Sequence, residues 1–186
     1  MVGSPLTAST QNIPCELQER RYPAMWAHHQ ILPDSGGPGR SRGGMSLLQR
    51  VEFPYGAGTI SCIGNRERFG PPGIFGGEPG AKAGLVINRG TETERNIGIF
   101  CVNQPVARGE RIDYWSAGGG GYGDSLERPV ERVLEDVKDE YVTLKGAREQ
   151  YGVVIKEIDR RRLLFEVDRA ATERLRAQMR VARAQR

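Results

Sequence analysis

Histidine and cysteine are scarce in this chain: of 186 residues, two are histidine and three are cysteine. His28 and His29 are adjacent. Neighbours on a strand point to opposite faces, so the pair does not easily share a metal. With Asp34 a three-ligand site is conceivable, but one partly buried, hydrogen-bonded histidine is the simpler expectation. Cys15, Cys62 and Cys101 are odd in number, widely spaced and free of any Cys-x-x-Cys pair. That pattern argues against a disulfide framework or a zinc site, and reduced thiols are expected. No apolar run approaches the roughly 20 residues of a membrane span, and no charged-then-apolar leader opens the chain. A soluble, cytoplasmic protein without a membrane partner is expected. Hydrophobic content of 38% is low for a large self-contained core.

Glycine is what the chain has in excess, at 25 residues. Three stretches concentrate it. Residues 33–44 read Pro-Asp-Ser-Gly-Gly-Pro-Gly-Arg-Ser-Arg-Gly-Gly, residues 70–80 read Gly-Pro-Pro-Gly-Ile-Phe-Gly-Gly-Glu-Pro-Gly, and residues 118–124 read Gly-Gly-Gly-Gly-Tyr-Gly-Asp. Such sequences continue neither helix nor strand, because glycine admits backbone angles that other residues avoid and proline fixes φ and lacks a donor. Short apolar runs lie around them. Strands are expected at 11–17, 25–32, 45–53, 59–63, 85–88, 97–102 and 111–116. The pattern changes at Asp124. Val130, Val133, Leu134 and Val137 recur at helical spacing after Pro129, which suits a first helical turn. Thr143 is placed to cap a second helix ending at Gly152, with Gly146 weakening it by about 1 kcal/mol relative to alanine. A hairpin across 159–162 and a last helix from Asp168 follow. The fold class expected is α+β: an antiparallel β-sandwich or distorted barrel with glycine-rich loops, then a helical carboxy-terminal tail. The partition expected is a disordered or remnant segment at 1–10, a β lobe at 11–123 and the tail at 124–186.

Net charge is +4, and it is local. From Asp159 onward there are nine arginines against four acids, whereas the rest of the chain holds 18 basic and 19 acidic residues. The excess belongs to the tail, and the arginine face of its last helix is most simply solvated or partner-facing. A nucleic-acid or anionic-partner module rests on that tail alone, since the body shows no basic stripe with interleaved aromatics.

The candidate site residues come from the glycine stretches. Arg40 and Arg42 flank Ser41 inside a bend, where backbone N–H groups and guanidinium groups could hold a phosphate or carboxylate. They equally suit a tight connector whose arginines pair with acids or carbonyls. The phosphate-loop pattern Gly-Lys-Ser/Thr opening a helix is absent. Gly118, Gly119, Gly120, Gly121, Tyr122 and Asp124 admit close approach of a ligand or of a neighbouring backbone, and Asp124 also suits a cap. Cys62 and Cys101 fall in apolar runs and read as small hydrophobes. Ser35 and Ser41 lack a recognisable triad companion.

Several motifs in register resemble the carboxy-terminal part of the hydantoinase B / 5-oxoprolinase family. They are Asn12-Ile-Pro-Cys-Glu16 with Tyr22-Pro23, Leu32 to Gly44, Gly64-Asn-Arg-Glu-Arg-Phe69, Gly73 to Gly80, Gly118 to Arg128, and Ala147-Arg-Glu-Gln-Tyr-Gly-Val-Val-Ile155. The resemblance implies an ATP-dependent complex in which an A-type partner binds nucleotide and a B-type partner opens a cyclic amide. Related complexes carboxylate ketones. It also implies that the catalytic and metal residues lie in an amino-terminal portion of the B-type polypeptide missing here. This chain is then a small subunit or a fragment, with no catalytic residue and no metal of its own. ATP and a divalent metal belong to the assembled complex. The sequence departs from the family pattern at Arg128-Pro129, where an Asp cap is usual, at Gly146, and at Trp26-Ala-His-His-Gln30.

Overall fold

A computed structural model of the chain describes residues 13–185. The segment expected to be disordered or a remnant, 1–10, lies outside them, as do Gln11 and Asn12. Two compact units emerge, each built from three separate pieces of chain. The first holds the residues up to Ile31 with Ser46–Gly70 and Lys82–Ala117. The second holds Leu32–Met45, Pro71–Ala81 and Gly118 onward. Apart from Gly70, the three glycine stretches therefore fall together, with the helical tail, in the second unit.

The first unit opens with helix α1 (Cys15–Arg21), where a strand was expected at 11–17. The helix α1 buries none of its residues, so no apolar face records its helical period in the sequence. A five-stranded sheet follows, formed by β1 (Met25–Leu32), β2 (Ser46–Glu52), β4 (Gly84–Ile87), β5 (Arg95–Asn96) and β7 (Arg111–Trp115) in the order β1-β2-β7-β4-β5. A separate antiparallel ribbon pairs β3 (Gly58–Ile63) with β6 (Phe100–Val106). The strand expected at 97–102 thus begins at Phe100 and continues through Pro105. That proline is accommodated because the ribbon leaves each strand an open edge. Leu85, Ile87, Ile112 and Val106 are almost fully buried, and Ile60 and Cys62 of the ribbon pack on the same cluster. Across the β2–β7 ladder Arg50 faces Asp113. Its Nε and Nη2 donate to the two carboxylate oxygens at 2.6 and 2.7 Å, which satisfies a wholly buried acid. His28 and His29 are both exposed on β1, against the expectation that one would be partly buried.

The second unit carries a 3-10 turn at Ser125–Glu127, α2 (Val130–Lys138), α3 (Leu144–Tyr151), the antiparallel hairpin β8 (Ile155–Asp159) with β9 (Leu164–Val167), and α4 (Arg169–Ala184). Val133, Val137, Val142, Ala147, Tyr151 and Val153 form its core. Pro129 sits at the cap of α2 rather than within its first turn. Thr143 caps α3, accepting from the Gly146 amide at 2.9 Å, and Gly152 ends the helix at φ +63°. The Asp168 side chain caps α4 through the Ala171 amide. Among the described residues no helix is long and apolar enough to cross a membrane. The mixed α+β class expected from the sequence is the one observed.

Candidate functional site

The three glycine stretches are bound into one knot by their own main chains. Gly37 donates to the Gly119 carbonyl at 2.8 Å, Gly119 to Gly44 at 2.8 Å, and Gly118 to Ala81 at 3.0 Å. Gly121 donates to Glu78 at 2.9 Å, and Ile74 to Gly121 at 3.0 Å. Tyr122 and Ser41 exchange both of their backbone bonds at 2.9 Å. The backbones approach so closely that side chains have no room. A Cβ on Gly118, Gly120 or Gly121 would run into the carbonyl of Ser35, Pro72 or Pro38 respectively. Glycine is required at these positions for contact between backbones, and the amides of Gly118, Gly119 and Gly121 are spent on protein carbonyls.

The two candidate arginines differ. Arg42 is mostly buried. Its guanidinium reaches Asp136 Oδ1 at 3.3 Å and its own stretch at the Gly43 carbonyl at 3.0 Å, and lies over the Tyr141 ring at 5.1 Å. Asp136 is shared: its Oδ2 accepts from Arg128 Nη2 at 2.8 Å, and Arg128 Nη1 donates to the Arg40 carbonyl at 3.1 Å. Arg128 therefore replaces the missing Asp cap with a different job, locking α2 to the knot. Beside this triad the Tyr151 hydroxyl is buried with no hydrogen-bond partner among the described residues, and burial pushes its pKa up to about 12. Arg40, by contrast, has an exposed side chain that lies 6.0 Å from the centre of the Tyr122 ring. Among the described residues it makes no ion pair.

Asp124 caps the 3-10 turn through the Leu126 amide at 2.9 Å and receives Arg183 of α4 at 2.6 Å. Arg183 also holds Glu78 at 2.9 Å, and Arg176 donates to the Tyr151 and Arg128 carbonyls. The arginine face was expected to be solvated or partner-facing; Arg176 and Arg183 depart from that, turning inward to fasten α4 to the unit. Asp34 has a comparable role. Its carboxylate accepts from the Thr143 amide at 2.9 Å and hydroxyl at 2.6 Å. It also fills the space a Gly146 side chain would need. Gly146 is therefore demanded by Asp34, where the sequence alone presented it as a weak spot.

What the knot presents outward is aromatic. Phe75 is 79% exposed, Ile74 55% and Tyr122 42%, and the Phe75 and Tyr122 rings meet at 5.3 Å between centres. Phe75 sits at φ +51°, in the left-handed region that costs a side-chain-bearing residue about 1 to 3 kcal/mol. Ile74, Phe75 and Asp136 were not singled out from the sequence, and Arg128 was noted there only as a departure from the family pattern. An apolar pair set between glycines, with nothing nearby to pack on, was the available signal for the first two. Among the described residues no three His, Cys, Asp or Glu side chains converge as metal ligands. Here the chain's own donors do not fit the divalent ion that the resemblance implied for the complex.

The class defined by these features is an α+β protein in which one unit carries a glycine knot with an exposed aromatic ledge. Residues 3–125 match the family described as Hydantoinase B/oxoprolinase, and the chain belongs to that family. It is 37% identical over 145 residues to the beta subunit of caprolactamase from Pseudomonas jessenii, covering 75% of this chain and 25% of that one. The crystal structure of the ATP-dependent caprolactamase from the same organism aligns at a TM-score of 0.67 and 31% identity, over 88% of this chain and 28% of that one. The B-type polypeptide of a putative D-/L-hydantoinase from Pseudomonas sp. is 31% identical over 92% of this chain and 28% of its own length. Nucleotide-free acetone carboxylase shares the fold at a TM-score of 0.75 and 23% identity, over 95% of this chain and 27% of that one. The chain thus spans about a quarter of the length of these relatives.

Proposed function

We propose that this chain is the glycine-knot lobe of the B-type polypeptide in an ATP-dependent cyclic-amide hydrolase, and that it scaffolds and lines an interface rather than supplying the reacting groups. The carrying observation is the division of labour at the knot. Arg42, Asp124 and most of the glycine amides are committed to holding the backbone, while Ile74, Phe75, Tyr122 and Arg40 stand exposed on that rigid base. An apolar ledge held at a backbone cost is suited to a partner surface. Family membership and the caprolactamase and hydantoinase relatives supply the chemistry of the reading. The partners are an A-type nucleotide-binding polypeptide and the rest of the B-type polypeptide, in a cytoplasmic setting. ATP and a divalent metal are held by those other parts of the complex.

The test is co-expression with the A-type partner and the remaining B-type polypeptide. Phe75→Ala and Tyr122→Ala should weaken co-purification and ATP-dependent ring opening at least tenfold while leaving the melting of the isolated chain in place. Full activity from the isolated chain would end this reading. The second reading, a component of an ATP-dependent ketone carboxylase, is supported by likeness of fold to acetone carboxylase. Bicarbonate-dependent turnover of a ketone by the assembled complex would favour it over ring opening.

A further inference from the structure

The two cysteines read from the sequence as inert hydrophobes are directly opposite one another. In the β3–β6 ribbon Cys62 pairs with Cys101, next to the Ile63–Phe100 pair. Residues opposite each other in an antiparallel ladder put their side chains on the same face, with Cα atoms about 4.5 or 5.5 Å apart depending on the kind of pair. Both separations fall inside the ~4.4–6.8 Å window over which a disulfide closes. Both thiols are free, and the two differ in access: Cys101 is 6% exposed, while Cys62 is half-buried. Cys62 also lines a groove of about 510 Å³ with Trp26, Val51, Phe53, Ile60 and Tyr114. Burial raises the Cys62 thiol, with Cys101 adding to the rise, so the attacking thiolate forms on the alkaline side of an ordinary cysteine.

We propose that Cys62 and Cys101 are a modification site: a cross-strand dithiol that closes to a disulfide by exchange with a small, neutral, low-molecular-weight disulfide entering the groove. The Cys62 thiolate attacks one sulfur of the incoming disulfide, forming a mixed disulfide and expelling one thiolate. The Cys101 thiolate then attacks Cys62 Sγ, forming the protein disulfide and expelling the second. The two protons from the cysteines end on the two released thiols. The cysteine pair gives up two electrons, and the incoming disulfide takes them. Cys62 goes first because it lines the groove, and Cys101 resolves because it is buried and paired opposite Cys62.

The experiment uses the full chain with Cys15→Ser, which removes the exposed third thiol, and bis(2-hydroxyethyl) disulfide as the probe. Intact mass should show loss of two hydrogens with no adduct. Both thiols should vanish from titration after unfolding, and peptide mapping should join Cys62 to Cys101. Adding Cys101→Ser should leave one stable adduct on Cys62, and adding Cys62→Ser should leave Cys101 unreacted in the folded protein. Two adducts on the Cys15→Ser protein, or two thiols still titrating after prolonged exposure, would overturn the proposal. That first readout carries the core cysteines intact, so it does not depend on either core variant folding.

Discussion

The two units of this chain solve the same problem by different physics. In the first, stability is apolar: Leu85, Ile87 and Ile112 are all but removed from water, and Arg50 neutralises the one acid buried among them. In the second, a small valine-rich core coexists with a knot in which backbone touches backbone, closed by arginines on carboxylates and carbonyls. A side-chain core tolerates repacking, because volumes can adjust. A backbone knot does not, because no atom can be removed from a carbonyl to admit a methyl group. The difference teaches why the glycines cluster as they do. They mark where main chains must meet, and a ligand loop is not needed to explain them.

The largest expected effect lies in the second unit. Asp136 balances two guanidinium groups at once, so Asp136→Ala leaves Arg42 and Arg128 buried without a counter-charge. A loss of about 3–5 kcal/mol in urea unfolding is expected. A loss below about 1 kcal/mol would show that the triad is not what closes the knot. Leu85→Ala is the counterpart in the first unit. It opens a cavity at a residue with no exposure and should cost about 3 kcal/mol, measured in the same way.

A smaller effect separates local propensity from packing. Gly146→Ala should gain about 1 kcal/mol by helix propensity, yet its methyl group meets the Asp34 carboxylate. Net destabilisation of about 1–2 kcal/mol is expected, because overpacking commonly costs more than propensity returns. Stabilisation instead would mean that Asp34 yields easily.

The smallest effect is a titration. The Tyr151 pKa is raised to about 12 from an ordinary value of 10. Its contribution is therefore fully present below pH 10 and is lost as pH rises from 10 to 12, because the unfolded chain releases that proton first. Phenolate absorbance should show Tyr151 titrating well after the exposed tyrosines, with stability falling over that window. Normal titration of Tyr151 would place it in contact with water.

Local pattern made much of this legible. The α2 stripe, the Thr143 and Gly152 caps, the 159–162 hairpin and most strands follow from short-range periodicity and turn chemistry. What was not legible depends on distant partners. Nothing near Asp113 in the sequence shows that Arg50, 63 residues away, pairs with it and lets it be buried. Arg176 and Arg183 read as a charged surface because nothing local shows that Tyr151, Asp124 and Glu78 lie within reach. The linear partition at 123/124 and the interleaved units cut the chain differently for the same reason: Gly37 to Gly119 is a contact that no window of sequence contains. At the candidate site the residue types were legible, but the side of the knot that faces outward was not.

Two adjacent glycines test the central claim most directly. A Cβ on Gly43 would strike the Gly119 carbonyl, whereas one on Gly44 meets nothing within 4 Å. Urea unfolding of Gly43→Ala and Gly44→Ala should therefore differ sharply, with the first losing about 3 kcal/mol and the second staying within about 0.5 kcal/mol of the parent. Equal tolerance at both positions would contradict a knot held by main chains in direct contact.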